Sequence, residues 1–349
     1  MTTDNKKLGT GSTRADLREK LAAAGYDPET EGVLARVVDV LEETGLSLSS
    51  AAVEMGFSST TLSRLLSGKY GAGLDSSMGL VREFLRRHEA GRCVVQGRFV
   101  ETDVWELVRS SMEHAQQFHR VVSLVGNSQI GKTCAVLEYR RRALEAGSDH
   151  VVYVRMPSMP TPYAVAAMIC RELGLEGRRR LATMREGLAA RLGPRHVLVV
   201  DEVHQVALAT GDNGLRVVEM LRELYDLTRC GMVLVGTNVW SRVLVGKERR
   251  DWRGYLEQLV KRGIAVEVPA VPSHRDQRAV WEAYGLPEPD AKVLAVVRGI
   301  VAEWGMGRFV ERLQAAATTA QAAGKEFAWV HFLAVHGQLE KLAGGVERY

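Results

Sequence analysis

Apolar and polar positions change their period once along this chain. Up to about residue 90 the apolar residues recur at three- and four-residue intervals, the mark of helices that bury one face. The spacing predicts helices over 14–24, 31–44, 49–55 and 60–66, with further short segments to about Ala90. From Asp103 onward, short continuous apolar runs alternate with helical stretches. Strands are predicted at 121–125, 151–154, 196–200, 232–236 and 264–268, and helices between them at 133–146, 162–173, 183–192 and 215–228. In the last of these, Leu215, Val218, Leu221 and Tyr225 recur at helical spacing and read as core. Short apolar strands alternating with helices imply a mainly parallel sheet covered on both faces. After Pro269 the strands stop and four helices follow, broken at 285–289, 305–307 and 322–325. The expected organisation is a polar lead-in (1–12), a helical domain (13–90), a linker (91–102), an α/β core (103–270) and a helical C-terminal region (271–349).

Composition narrows the class without naming a function. The chain has 349 residues, of which 46% are hydrophobic and 25% charged, which is ordinary for globular proteins and excludes collagen-like and disordered chains. Cys93, Cys134, Cys170 and Cys230 stand far apart and form no Cys-x-x-Cys pair, so neither a disulfide framework nor a zinc site is expected and a reducing cytoplasm fits. The polar start and the lack of a long apolar run argue against a signal peptide and a membrane span. The net charge of +4 is uneven. Residues 1–90 hold 11 Lys/Arg against 13 Asp/Glu, residues 91–200 hold 16 against 10, and residues 201–349 hold 19 of each. A phosphate-bearing partner is therefore to be sought first in the middle third.

Within the first region, LSLSSAAVEMGFSSTTLSRLLSGKY has the layout of a helix-turn-helix. Gly56 suits the turn, Phe57 a core anchor, and Ser58 or Ser59 the cap of the second helix. Leu62, Leu65 and Leu66 fall on its inner face, while Ser59, Thr61, Ser63 and Arg64 face solvent with Lys69 just beyond. Arg64 and Lys69 are candidate DNA contacts, since the second helix of such a pair enters the major groove.

The strongest chemical signal is Gly126-Asn127-Ser128-Gln129-Ile130-Gly131-Lys132-Thr133, with Cys134 following. It lies between a predicted strand and helix, where backbone N–H groups and a helix N-terminus can cradle phosphates. Lys132 is expected to reach the β- and γ-phosphates, and Thr133 to ligate Mg²⁺. HVLVVDEVHQ places Asp201 and Glu202 at the C-terminal end of another apolar strand. Asp201 suits the Mg²⁺ shell, and Glu202 suits orientation of an attacking water. MVLVGTNVW ends a third strand in Thr237 and Asn238, either of which is placed to sense the γ-phosphate. Arg308 follows Gly305-Met306-Gly307 in the helical C-terminal region. Among Arg242, Arg249, Arg250, Arg253 and Arg262, the last, just before the fifth strand, is the best candidate to act on a neighbouring subunit's phosphate.

This combination resembles the AAA+ P-loop ATPases, a five-stranded parallel sheet with a helical lid. Within that class it is similar to the family of the phage Mu B transposition protein and transposon target-selection ATPases. The likeness runs from SSTTLSRLLSGKY and REFLRRHEA through RFVETDVWELVRSSM, GNSQIGKTCAVLEYRRR, VLVVDEVHQ and MVLVGTNVW to LVKRGIAV, roughly residues 45–320. It implies an ATP- and Mg²⁺-dependent ATPase that binds double-stranded target DNA without sequence preference and assembles as a homo-oligomeric helical filament. Such a protein delivers its DNA to a transposase and disassembles on hydrolysis. Lys132, Thr133, Asp201 and Glu202 match that family's motif positions, Arg262 its trans-acting arginine and Arg308 its lid arginine. Arg178, Arg179 and Arg180 correspond to a basic cluster suited to DNA phosphates.

Two other functions remain compatible with the residues alone. A helix-turn-helix regulator with an ATPase switch would prefer a DNA sequence with dimer-set half-site spacing. A metabolic P-loop kinase is disfavoured by Glu202, which is placed for water.

Overall fold

The computed structural model describes residues 14–44, 46–70, 73–89, 94–95, 98–175 and 180–344, which fall into two compact units dividing at residues 92 and 93.

The first unit is all-helical: α1 (Arg14–Ala22), α2 (Pro28–Thr44), α3 (Leu48–Glu54), α4 (Ser59–Leu66) and α5 (Leu74–Glu89). Its core collects Leu34, Val37, Val38 and Leu41 of α2, Ala51 and Met55 at α3, Leu62, Leu65 and Leu66 of α4, and Phe84 of α5. Ser47 and Ser58 cap α3 and α4, their hydroxyls accepting from the Ser50 and Thr61 N–H groups at 3.0 Å each. Gly56, at φ +77°, makes the turn between them that only a residue without Cβ adopts freely. Arg64 and Lys69 are exposed.

The second unit opens where a linker was expected. Val94–Val95 (β1) pairs antiparallel with Arg98–Phe99 (β2), and the chain beyond packs onto the core. Phe99 meets Trp105 edge to face at 5.2 Å, and the Arg142 guanidinium lies 4.5 Å from the Trp105 ring while bonding Glu101 at 2.7 Å. Then follow α6 (Asp103–Phe118), β3 (Val121–Val125), α7 (Lys132–Glu145), β4 (Val151–Arg155), α8 (Pro162–Glu172), α9 (Leu181–Arg191), β5 (Val197–Asp201), α10 (Asn213–Thr228), β6 (Gly231–Gly236), α11 (Asn238–Leu244), α12 (Arg253–Lys261) and β7 (Gly263–Glu267). A short 3₁₀ helix spans Val203–Leu208.

The five long strands form one sheet in the order β4-β5-β6-β3-β7, every pair parallel. Residues of β3, β5 and β6 are buried throughout, as expected for strands with both faces covered. One face packs against Val165, Ile169, Leu221, Leu224 and Tyr225 of α8 and α10, the other against Trp105, Val108, Met112 and Val136 of α6 and α7. Because the strands run parallel, all their C-terminal ends lie at one edge, which gathers the loops that carry chemistry.

Four helices complete the unit: α13 (His274–Ala283), α14 (Ala291–Trp304), α15 (Met306–Ala322) and α16 (Trp329–Gly344), around Trp281, Phe309, Leu313 and Phe332. No helix among the described residues is long and apolar enough to cross a membrane.

Candidate functional site: a nucleotide cleft at the sheet's C-terminal edge

The chain leaves β3 at Val125 and turns through 126–131 before α7 begins at Lys132. Gly126 is forced by space, since a Cβ there would meet the Ile130 Cδ1 at 2.8 Å and the Val268 Cβ at 2.9 Å. Gln129 and Gly131 take positive φ, +63° and +97°, and wrap the loop over the N-terminus of α7. That helix end supplies unpaired N–H groups and a favourable dipole for an anion.

Lys132 is 8% exposed and folds back on its own loop, its Nζ donating to the carbonyls of Gly126 (2.9 Å) and Asn127 (2.7 Å). Burial pulls its ammonium below the usual lysine range, while Asp201 and Glu202 pull the other way. The group is thus a cation short of negative partners, which phosphate oxygens would supply.

The acidic strand end lies alongside. Asp201, 2% exposed, accepts from the Thr133 hydroxyl at 2.7 Å, the Tyr153 hydroxyl at 3.1 Å and the Glu202 N–H at 2.8 Å. Burial and Asp201 both raise the Tyr153 phenol well above its usual range, which keeps it a donor. The Thr133 hydroxyl and Asp201 carboxylate are hard oxygen donors held side by side, a pair that fits Mg²⁺ completed by water and phosphate. Among the described residues no group of three or more His, Cys, Asp or Glu is placed to hold a metal by itself. Glu202 sits at φ +57°, ψ +32°, left-handed for a non-glycine residue. Its carboxylate lies 3.3 Å from His204 Nε2 and 3.7 Å from an Arg155 guanidinium nitrogen.

At the end of β6 the two polar residues part company. Asn238 donates through Nδ2 to Asn127 Oδ1 at 2.7 Å, tying this strand to the phosphate loop. Thr237 Oγ1 is buried with no hydrogen-bond partner.

Behind the loop lies a narrow cleft between α7, the segment leading into α6 and the helices after β7. Val100, Val104, Cys134, Val280, Met306 and Val310 give it apolar walls, and Asp276 is its acidic residue. Its apolar lining beside a phosphate loop has the chemistry to receive a heterocyclic base once the walls part. Asp276 also latches the helical region to the core, its Oδ1 accepting from the Asp103 N–H at 2.7 Å, and burial raises its carboxyl above the usual range. A second tie is closer to the phosphates: the Gly307 N–H donates to Gln129 O at 2.8 Å.

The arginines divide. Arg308, beside that contact, pairs with Glu311 at 3.0 Å on its own helix. Arg262 precedes β7, whose first residue is in register with the first residue of β3, so it lies a strand's length, roughly 16 Å, from the phosphate loop of its own chain. There it is bidentate to Asp226, at 2.9 and 3.2 Å, and Arg222 bonds the same carboxylate at 3.0 Å. Arg180 is exposed at the start of α9, and Arg178 and Arg179 fall outside the described residues.

Sequence reasoning missed Tyr153, Arg155, His204, Asp276 and, Cys134 apart, the apolar cleft walls. His204 had a signal in DEVH, three residues after Asp201. The others come from remote segments whose meeting depends on strand order.

Fold and site together define an α/β P-loop domain of the AAA+ class with a helical lid. Residues 116–244 match the family model described as "AAA domain". The chain is 26% identical over 228 residues to the ATP-dependent target DNA activator B of Escherichia phage Mu, covering 64% of this chain and 69% of that protein. The corresponding protein of Escherichia phage D108 matches to the same extent. To the Mu-like prophage FluMu DNA transposition protein B of Haemophilus influenzae it is 24% identical over 270 residues, covering 76% of this chain and 89% of that protein. The chain thus carries an AAA domain and is similar in sequence to B proteins of Mu-like transposition systems.

Proposed function

We propose that this protein is an ATPase that binds double-stranded target DNA in its ATP-bound state, assembles on it and presents it to a transposase. The observation that carries the reading is the composite site, with Lys132, Thr133, Asp201, Glu202 and Asn238 all drawn to one end of β3. The relatives' printed names, an ATP-dependent target DNA activator and a DNA transposition protein, support the biological context.

In this reading Lys132 leaves the carbonyls of Gly126 and Asn127 for the phosphate oxygens. Thr133 and Asp201 would hold Mg²⁺, which would neutralise phosphate charge when bound. Glu202 orients the attacking water and takes its proton. Asn238 couples phosphate-loop position to β6 through Asn127, and Thr237 stands behind it with its hydroxyl free to turn. Val104, Cys134, Met306 and Val310 enclose the base, and Arg308 has only an exposed ion pair to give up if it is drawn to phosphate. Arg262, remote from its own phosphate loop, serves a neighbouring subunit. Arg180 with Arg178 and Arg179 meets DNA phosphates, and Arg64 and Lys69 make DNA contacts of the helical unit's own.

The test is fluorescence anisotropy on random-sequence duplex DNA with ADP, ATP or a slowly hydrolysed analogue at two salt concentrations. The expected result is binding that requires triphosphate and weakens steeply with salt. Binding indifferent to nucleotide would overturn the reading, and a strong preference for one sequence would favour a helix-turn-helix regulator instead.

A further inference from the structure

Glu202 has the geometry of a side chain that cannot hold itself. It is the first residue after β5, its backbone is in the left-handed region, and its own N–H is spent on Asp201. Its carboxylate is half-buried at the sheet edge, so an unrestrained Glu202 would sample several rotamers. Two side chains face it. Arg155 is 3.7 Å away with 67% of its side chain exposed, an arrangement that contributes little fixed geometry. His204 is 3.3 Å away with its side chain only 14% exposed, held in the 3₁₀ turn between the buried Val203 and Val206.

The surroundings of the two ring nitrogens differ. His204 Nδ1 is buried with no partner, while Nε2 faces Glu202 Oε2. An orphaned N–H in that position would cost more than an orphaned lone pair, so the hydrogen belongs on Nε2, the nitrogen 3.3 Å from the carboxylate. With Oε2 beside His204, Oε1 faces only the exposed Arg155 at 3.7 Å and is open to a water.

We propose that His204 is a positioning residue for hydrolysis, fixing the Glu202 carboxylate through an Nε2–H···Oε2 bond so that the remaining oxygen addresses the attacking water. This rests on the reading of Glu202 as the residue that handles water. The imidazole acts through Glu202 and touches no nucleotide atom. It therefore governs turnover and leaves ATP affinity alone.

The test is steady-state phosphate release by the full chain with saturating ATP, Mg²⁺ and duplex DNA, for His204→Leu, His204→Gln and each combined with Glu202→Gln. His204→Leu is expected to lower kcat about tenfold with KM for ATP within about twofold. His204→Gln, whose amide can still donate, is expected to recover most of that loss. In the Glu202→Gln background His204→Leu is expected to add nothing, because coupled residues do not contribute independently. Unchanged turnover in His204→Leu, losses that multiply in the double variant, or a parallel fall in ATP affinity would each overturn the proposal. If Glu202→Gln itself turns over like the wild type, the failure lies in the role given to Glu202. If Glu202→Gln is inactive and His204→Leu is normal, only the role of His204 fails.

Discussion

A carboxylate that handles water and one that holds a metal need different surroundings, and two adjacent residues receive them here. Asp201 is buried under three hydrogen bonds. Glu202 is half-exposed, facing two side chains able to donate. Glu202→Gln is expected to retain ATP binding, read as a nucleotide-dependent rise in Tm, while phosphate release falls by about 10²–10⁴-fold. Turnover within a few-fold of the wild type would remove Glu202 from catalysis. Two histidines away from the site make a separate statement about pH. Burial lowers the pKa of both His150 and His196, which flank the starts of β4 and β5. The unfolded chain then binds more protons than the native one below the ordinary value near 6.5, so stability is expected to fall as pH drops from 6.5 toward the lowered native values. The limiting slope is about 1.4 kcal/mol per pH unit for each histidine. Thermal melts of wild type and His150→Asn/His196→Asn between pH 7.5 and 5.5 check this, with the double variant expected to show the flatter dependence. The phosphate loop, Asp201 and Glu202 were legible from local sequence because each needs its residue type at fixed spacing from a strand end. Asn238 and Thr237 were not separable, since which of them meets Asn127 depends on the first turn of α11.

At the scale of elements, the junction between α14 and α15 packs directly against the phosphate loop. Gly305 has φ +85° and ψ 173°, a region essentially closed to other residues, and a Cβ there would stand 2.9 Å from Gln129 O. Gly305→Ala is expected to cost about 1–3 kcal/mol, lowering Tm by several degrees, and to weaken ATP binding by displacing Gln129. Calorimetry with and without nucleotide distinguishes the two effects, and an unchanged melt would show that the junction yields. Strand positions were readable to within a residue because continuous apolar runs bounded by polar residues have few alternatives. The pairing of β1 with β2 was invisible, as two-residue strands carry no period. The helices after β7 were visible as helices, but their meeting with Gln129 and Asp103 was not, because it depends on contacts some 170 residues apart.

For the whole molecule, the separation of Arg262 from its own phosphate loop sets up an assembly experiment. Arg262→Ala is expected to keep monomeric ATP binding yet lose hydrolysis. Mixed with Glu202→Gln, which has an intact arginine but no residue for water, it is expected to regain activity, since one kind of interface in the mixture would be complete. Strictly inactive mixtures would show that Arg262 works within its own chain. None of this was readable from charge balance alone, which located the basic middle third but not which arginines are committed to partners.

The cluster around Asp226 bears on how such an arginine could move. One carboxylate serves two guanidinium groups, Arg222 and Arg262. An arginine held by a private ion pair would abandon an uncompensated acid on leaving, the costly outcome for a partly buried site. Here Arg222, which also pairs with Glu219 at 2.9 Å, stays on Asp226 at 3.0 Å, so the departure of Arg262 takes the neutral four-group cluster to one negative charge but leaves no acid without a guanidinium partner. The cluster works as a parking place that can be vacated rather than a bolt that must be broken.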